Sequence, residues 1–411
     1  MTSRAALLLI SFLAVSASAA DQAPIVTTIA GIPGVAGFAD GPAEIATFNR
    51  PTWLDVVTTF PADDYASVGD IFVVDRLNGA IRRISRRTVS TEVVHRDYND
   101  LHSETIHFDF GGPFGGGIVI ENPTGGCGYG PYARGMYVAS SGSHQIVLVA
   151  PLSTVTGIGR RDEGPPLIGA ANTPGAVDGH WSVTRFNTPT GLARSWIYGG
   201  WSNIPRQALF VADTGNHTIR HIRFRYGAEG CPVSDDISTL AGMAGQAGSQ
   251  DGAGAAARFN TPRGVAAAPD GSLYVADTGN HTIRRIAVDG TVTTVAGEAG
   301  VTGMNDGPAR VAHLNTPSGI DVDSVGEVFI CDTGNHTIRE LTRDGQLITI
   351  AGTPGVAGFA DGDAAQAKFN GPVGVKVAPD GALIVGDTSN HVIRRIVSLR
   401  TEAPRRRSVR H

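Results

Sequence analysis

The phrase Asp213-Thr-Gly-Asn-His-Thr-Ile-Arg220 gathers a carboxylate, a hydroxyl, an imidazole and a guanidinium into one short stretch. It recurs at Asp277–Arg284 and Asp332–Arg339, and in altered form at Asp387–Arg394. Such turns, gathered on one face, could form a ligand site. Repetition argues for a humbler role. Asp and Asn bond their own backbone in turns, His can bridge neighbouring strands, and buried turn backbone needs such partners. A group present in every unit is expected to serve the unit, and chemistry is expected where the repeat breaks. One break is residues 95–116, which hold His95, His102, His107 and Asp109 beside Phe108, Phe110 and Phe114. Imidazoles with a carboxylate suit zinc or another divalent ion. Their spacing follows no established zinc pattern, so a solvated insertion with an aromatic plug is the preferred reading and no cofactor is expected. His102, His107 and Asp109 remain candidate ligand contacts. There is no Gly-x-Ser-x-Gly elbow, P-loop or dinucleotide fingerprint, and no catalytic residue is assigned.

Short strands must position these groups. The repeated aspartates stand 64, 55 and 55 residues apart, and weaker copies lie at Val74–Arg82 and Val138–Ile146, which makes six units. A second phrase precedes most copies: Phe48-Asn-Arg-Pro51, Phe186-Asn-Thr-Pro189, Phe259-Asn-Thr-Pro262, Leu314-Asn-Thr-Pro317 and Phe369-Asn-Gly-Pro372. A third, an apolar run ending in Ala-Gly, leads into a Gly-rich loop with an Asp-Gly pair, as at Asp251-Gly252. One unit, read from Arg263, gives four β-rich runs separated by Pro269-Asp270-Gly271, Thr278-Gly279-Asn280 and Asp289-Gly290. Four short strands repeated six times describe an all-β, six-bladed propeller. The 54 glycines and 23 prolines fit that many turns.

The units resemble NHL repeats, named for the Asn-His pair seen at Asn216-His217, Asn280-His281, Asn335-His336 and Asn390-His391. The resemblance spans roughly residues 25 to 397; the first two units lack the pair. It implies six blades and an interaction platform. The strand Ile25–Ala30 is expected to supply the fourth strand of the last blade and close the ring, which removes open edges. Some related six-bladed propellers are secreted lyases or hydrolases with a metal in the channel, so a metal-dependent enzyme is the alternative reading.

Further insertions, at residues 58–69, 122–134, 195–207 and 223–236, are expected as loops on the face opposite the repeated turns. Trp196, Tyr198 and Trp201 lie in one of them and suit contact with a partner. Cys127 and Cys231 fall in two others on neighbouring blades and are expected to form a disulfide; Cys331 is expected to be a buried free thiol. The Asn-x-Thr sequons at Asn216, Asn280 and Asn335 coincide with the repeated turns and read as products of the repeat.

The chain divides into residues 1–20, 21–397 and 398–411. Arg4, the apolar Ala5–Val15 and the small residues Ser16–Ala20 read as a secretory signal, too short to span a bilayer. That implies a secreted protein, extracellular or periplasmic if bacterial. The tail carries Arg400, Arg405, Arg406, Arg407 and Arg410 and reads as a disordered end. A formal net charge of −5 gives no reason to expect a nucleic-acid partner. A monomer that binds a protein, peptide or glycan is the reading these features favour.

Overall fold

The computed structural model describes residues 23–58, 67–94, 117–120, 136–149, 167–197, 206–226 and 232–397. Its short runs of β-branched and aromatic residues, cut by Gly and Asp turns, all form antiparallel strands. The first sheet comprises Pro51–Val56, Ile71–Asp75, Ala80–Ser85 and Thr88–Val94. The second comprises Ile118–Ile120, Met136–Ser140, Gln145–Val149 and Leu167–Ile168. The third comprises Pro189–Ile197, Arg206–Asp213, Thr218–Tyr226 and Pro232–Gly242. The fourth comprises Val265–Ala267, Leu273–Asp277, Thr282–Ile286 and Thr291–Ala296. The fifth comprises Pro317–Val322, Val328–Asp332, Thr337–Leu341 and Gln346–Ala351. The sixth joins Pro372–Val377, Leu383–Asp387 and Val392–Val397 to the N-terminal Ile25–Ala30, with Ile25 opposite Val397. The architecture is an all-β propeller.

The first strand of each sheet lies innermost, and close approach there is set by glycine. A Cβ on Gly191 would lie 2.1 Å from the Arg263 carbonyl oxygen of the next sheet. The corresponding distances are 2.2 Å from Gly264 to Ser318, 2.1 Å from Gly319 to Val373 and 2.4 Å from Gly374 to Thr52. Gly117 meets the Thr190 carbonyl oxygen at 2.4 Å. No side chain fits at such distances, which is why the inner strands carry glycine there. The first sheet departs from this pattern: Trp53 stands in the glycine's place. It is buried with Phe72, Val74 and Ile81 of its own sheet against Ile118, Met136, Val138 and Val147 of the second. Apolar packing therefore holds the one junction where backbones do not close up. Elsewhere the cores lie between consecutive sheets and include Phe48, Phe186, Phe259, Leu314 and Phe369, the first residues of the Phe-Asn phrases.

Two sequence expectations change. Four sheets have a fifth strand rather than four strands, because Gly41-Pro42, Gly252-Ala253, Gly307-Pro308 and Gly362-Asp363 pair with outer strands. Each belongs to a Gly-rich connector that runs along an edge before entering the ring, and so covers an otherwise open row of backbone groups. Residues 195–207 and 223–236 are not simply loops. The third sheet's strands run on into them, with Trp196 opposite Gln207 and Phe224 opposite Ser234. Those strands have 9, 8, 9 and 11 residues, against 3, 5, 5 and 6 in the fourth sheet, so the third sheet projects beyond its neighbours.

Candidate functional site

The repeated phrase folds as a single 3-10 turn between the second and third strands of a sheet. In the fourth sheet Asp277 accepts the Asn260 backbone N–H (2.7 Å), the Asn280 amide (2.7 Å) and Arg284 Nη1 (2.9 Å). Arg284 also donates to the carbonyls of Arg258 (2.8 Å) and Gln250 (2.9 Å) and to Asp251 (2.8 Å), with the Phe259 ring 5.2 Å away. The same lattice recurs around Arg82 with Asp75 and Asp40, Arg220 with Asp213 and Asp178, Arg339 with Asp332 and Asp306, and Arg394 with Asp387 and Asp361. Each inner aspartate and its arginine are fully buried. Burial pushes the five carboxyls, Asp75, Asp213, Asp277, Asp332 and Asp387, up to about 6, against the pull of arginine, asparagine and backbone donors. Such pairs hold their geometry at a desolvation cost, and losing one partner leaves a buried charge.

The other two residues of the phrase reach across the ring. The turn threonine donates to the next inner strand's proline carbonyl: Thr214 to Pro262 (2.7 Å), Thr278 to Pro317 (2.6 Å), Thr333 to Pro372 (2.7 Å) and Thr388 to Pro51 (2.7 Å). The histidine accepts at Nδ1 from the next sheet's backbone: Thr188 N–H to His144, Thr261 to His217, Thr316 to His281, Gly371 to His336 and Arg50 to His391, all at 3.0 to 3.1 Å. These histidines sit in left-handed backbone with φ of 58° to 61°, where His is among the better-tolerated residues. Burial lowers the pKa of His217, His281, His336 and His391. The Asn216, Asn280 and Asn335 amides are buried and each donates twice, so the sequons are occupied by the fold. The aspartate, the turn threonine, the asparagine amide and the histidine Nδ1 of the phrase are thus spent on the ring.

The repeat breaks in three places. In the second sheet Ser140, Ser143 and Val147 replace the Asp, Asn and Arg, and Ser143 Oγ donates to Ser140 Oγ at 2.6 Å. In the first sheet Arg50 replaces the threonine of the Phe-Asn-Thr-Pro phrase, Arg76 replaces the turn threonine, and Gly79 replaces the histidine. The third break lies on the inner strands. Lys376 Nζ donates to Asp321 at 3.2 Å and lies 3.6 Å from Asp55, so one ammonium joins the fifth, sixth and first sheets. Asp321 also accepts the Val377 N–H at 2.9 Å. The three are last but one in their inner strands, at the end away from the repeated turns. The aligned positions of the third and fourth sheets are Ala193 and Ala266. Burial disfavours the Lys376 charge, but the two carboxylates outweigh it and hold its pKa above the ordinary value. Burial raises Asp321. A lysine held protonated is a donor and a fixed charge, not a base.

Of the residues singled out by sequence, Trp196 lies on the lengthened strand Pro189–Ile197, opposite Gln207. Tyr198, Trp201, His102, His107, Asp109, Cys127 and Cys231 fall outside the described residues. Cys331 is a buried free thiol whose pKa burial pushes up. Sequence reasoning missed Asp55, Asp321 and Lys376, although aligning the inner strands on their prolines sets them against Ala193 and Ala266. Among the described residues no three His, Cys, Asp or Glu side chains gather as metal ligands, and no helix is long and apolar enough to cross a membrane.

Comparison with known proteins agrees with the geometry of the turns. The NHL repeat model matches residues 259–286, 314–341 and 369–396. Suppressor of Quenching 1, a chloroplastic protein of Arabidopsis thaliana, is 28% identical over 325 residues, covering 78% of this chain and 28% of that protein. Human NHL repeat-containing protein 2 is 26% identical over 291 residues, covering 63% of this chain and 36% of that one. The chain thus spans less than two thirds of the length of these relatives. Among solved structures, an auxiliary nutrient binding protein from Bacteroides thetaiotaomicron has a TM-score of 0.58 at 18% identity, covering 91% of this chain and 76% of that one. A Bacteroides thetaiotaomicron protein of unknown function has a TM-score of 0.61 at 18% identity, with the same coverage. Both share the fold. The matched units hold the Asp-Asn-His-Arg lattice described above, and these three units are NHL repeats.

Proposed function

We propose that the chain is a six-bladed NHL propeller that acts as a binding module for a protein, peptide or glycan. The observation that carries this is where the repeat is broken. Asp55, Lys376 and Asp321 place two carboxylates and an ammonium at the channel end away from the repeated turns. The third sheet's long hairpins extend from that same end, with Trp196 near the tip of one strand. Fixed charges and a projecting hairpin that carries Trp196, both at one end of the ring, suit a polar ligand with an aromatic-binding part. Lys376, held protonated, supplies recognition rather than proton abstraction. A location outside the cytoplasm, extracellular or periplasmic, goes with this reading and rests on Arg4, Ala5–Val15 and Ser16–Ala20. The family likeness and the nutrient-binding neighbour are consistent with binding and name no ligand.

The test is a screen of the purified mature chain on defined glycan and peptide arrays, repeated with Trp196→Ala and with Trp201→Ala. A ligand captured by the wild type and lost in these variants supports the reading. Capture unchanged in both removes the projecting hairpin as the site.

A further inference from the structure

Among the described residues, the buried polar atoms that lack a partner either recur from sheet to sheet or do not, and Arg194 Nη1 and His221 Nε2 of the third sheet are among those that do not. Nε of Arg82, Arg220, Arg284, Arg339 and Arg394, and Oγ1 of Thr218, Thr282 and Thr337, recur at equivalent positions and belong to the repeat. Thr52 Oγ1 and Arg76 Nη1 do not recur, and both belong to the first sheet. Their equivalents elsewhere bond to each other. Thr190 and Thr214 hydroxyls are 2.6 Å apart in the third sheet, and Ser318 and Thr333 are 2.5 Å apart in the fifth. Pro51 faces Asp75 as Pro189 faces Asp213, so Thr52 and Arg76 occupy the same two places. Arginine in place of threonine leaves the Thr52 hydroxyl fully buried and unsatisfied, and leaves Arg76 Nη1 buried without a partner.

A second arginine stands close by. Arg50 precedes Pro51, which pairs with Asp75, and the Leu77 N–H donates to the Asn49 carbonyl at 3.0 Å, so Arg50 and Arg76 sit on adjoining backbone, and the Arg50 charge, after burial, helps depress the Arg76 pKa. Among the described residues neither side chain makes a hydrogen bond or ion pair, whereas every lattice arginine has two carboxylates. The junction between the first and second sheets also lacks both repeated links, since Arg76 replaces the threonine donor and Gly79 the histidine acceptor. Two arginines on adjoining backbone without a carboxylate partner, with an orphan hydroxyl on the strand between them, suit an anion.

We infer that Arg50, Arg76 and Thr52 form an oxyanion site at the mouth of the channel on the turn face, able to take a carboxylate or a phosphate group. Guanidinium forks match both, and the Thr52 hydroxyl adds a single donor. The site is at the opposite end of the channel from Lys376 and stands whether or not ligand is captured there.

The test uses the mature chain in low-salt buffer, titrated calorimetrically with inorganic phosphate and, separately, with succinate. The variants are Arg76→Thr and Arg50→Thr/Arg76→Thr. Both restore the repeat's own residues, so they keep the fold, and thermal midpoints without anion check this. Saturable binding of one or both anions by the wild type is expected, weakened about tenfold or more in Arg76→Thr and abolished in the double variant. Preference for phosphate would mark a phosphorylated ligand, and preference for succinate a carboxylated one. Wild-type binding of neither anion, or equal binding by folded variants, overturns the site.

Discussion

His281 Nδ1 accepts the Thr316 backbone N–H across a junction between sheets at 3.0 Å. The nitrogen must be unprotonated to do so. Burial sets the folded pKa of His217, His281, His336 and His391 below the ordinary value of 6.5. The unfolded chain therefore takes up protons first as pH falls. This contribution to stability is complete above 6.5 and is lost as pH drops toward the folded values. The buried aspartates act with the opposite sign. Raised from 3.8 to about 6, they favour the folded state as pH falls through that window, and contribute no slope above it. Thermal midpoints should thus fall between about pH 8 and about pH 7, above the window near 6 in which the aspartates take up protons. The fall should be smaller in His281→Asn, since asparagine tolerates left-handed backbone and does not titrate. An equal slope in variant and wild type would remove the histidines as its source.

Asp277 and Arg284 form a fully buried pair, so removing either alone strands the other. Asp277→Ser or Arg284→Val should each cost about 3–5 kcal/mol in denaturant unfolding. The second sheet does without the pair, using Ser140 and Val147 in the same places. The double variant, which copies that solution, should cost less than the sum of the singles. Simple additivity would mean that the pair is not coupled.

Gly264 has ordinary backbone and no room for a side chain, with the Ser318 carbonyl oxygen 2.2 Å from where a Cβ would sit. Gly264→Ala should lower stability by about 1–3 kcal/mol by pushing two inner strands apart. Gly290, with φ of 84° and nothing within 4 Å, tests the other glycine role. Gly290→Ala should cost about 1 kcal/mol from backbone strain alone. If the two variants were equally stable, close approach would not be what the inner glycine provides.

The contrast shows what the chain made legible. The repeated units and the closing strand could be read because Asp-Thr-Gly-Asn-His and Phe-Asn-Thr-Pro recur, and each residue has a local backbone task. The reach of those residues across the ring was not legible, since a repeat does not reveal whether His281 bonds within its own sheet or to Thr316 of the next. The Asp55–Lys376–Asp321 cluster was hidden for the same reason. Residues far apart in sequence meet only when the ring closes, and each alone resembles an ordinary charge at a strand end. The lengthened third sheet read as loops because Ser195–Arg206 mixes Trp, Gly and Pro and carries no strand alternation.

Lys376 screens two carboxylates from each other, Asp321 on the fifth inner strand and Asp55 on the first. Lys376→Met should leave Asp55 and Asp321 facing each other unscreened, and the midpoint should fall as pH rises from about 4 to about 7 relative to the wild type. Lys376→Met/Asp321→Asn should recover much of the loss. No recovery would mean that Lys376 acts by packing rather than charge.

The repeated turns build the ring, and the proposed ligand recognition belongs to the places where the repeat is broken. The measurement that tests it most directly is capture of one array-identified glycan or peptide by three folded forms: wild type, His281→Asn and Trp196→Ala/Lys376→Met. The account predicts equal capture by wild type and His281→Asn, and loss in the double variant. Loss in His281→Asn with full capture by Trp196→Ala/Lys376→Met would contradict it.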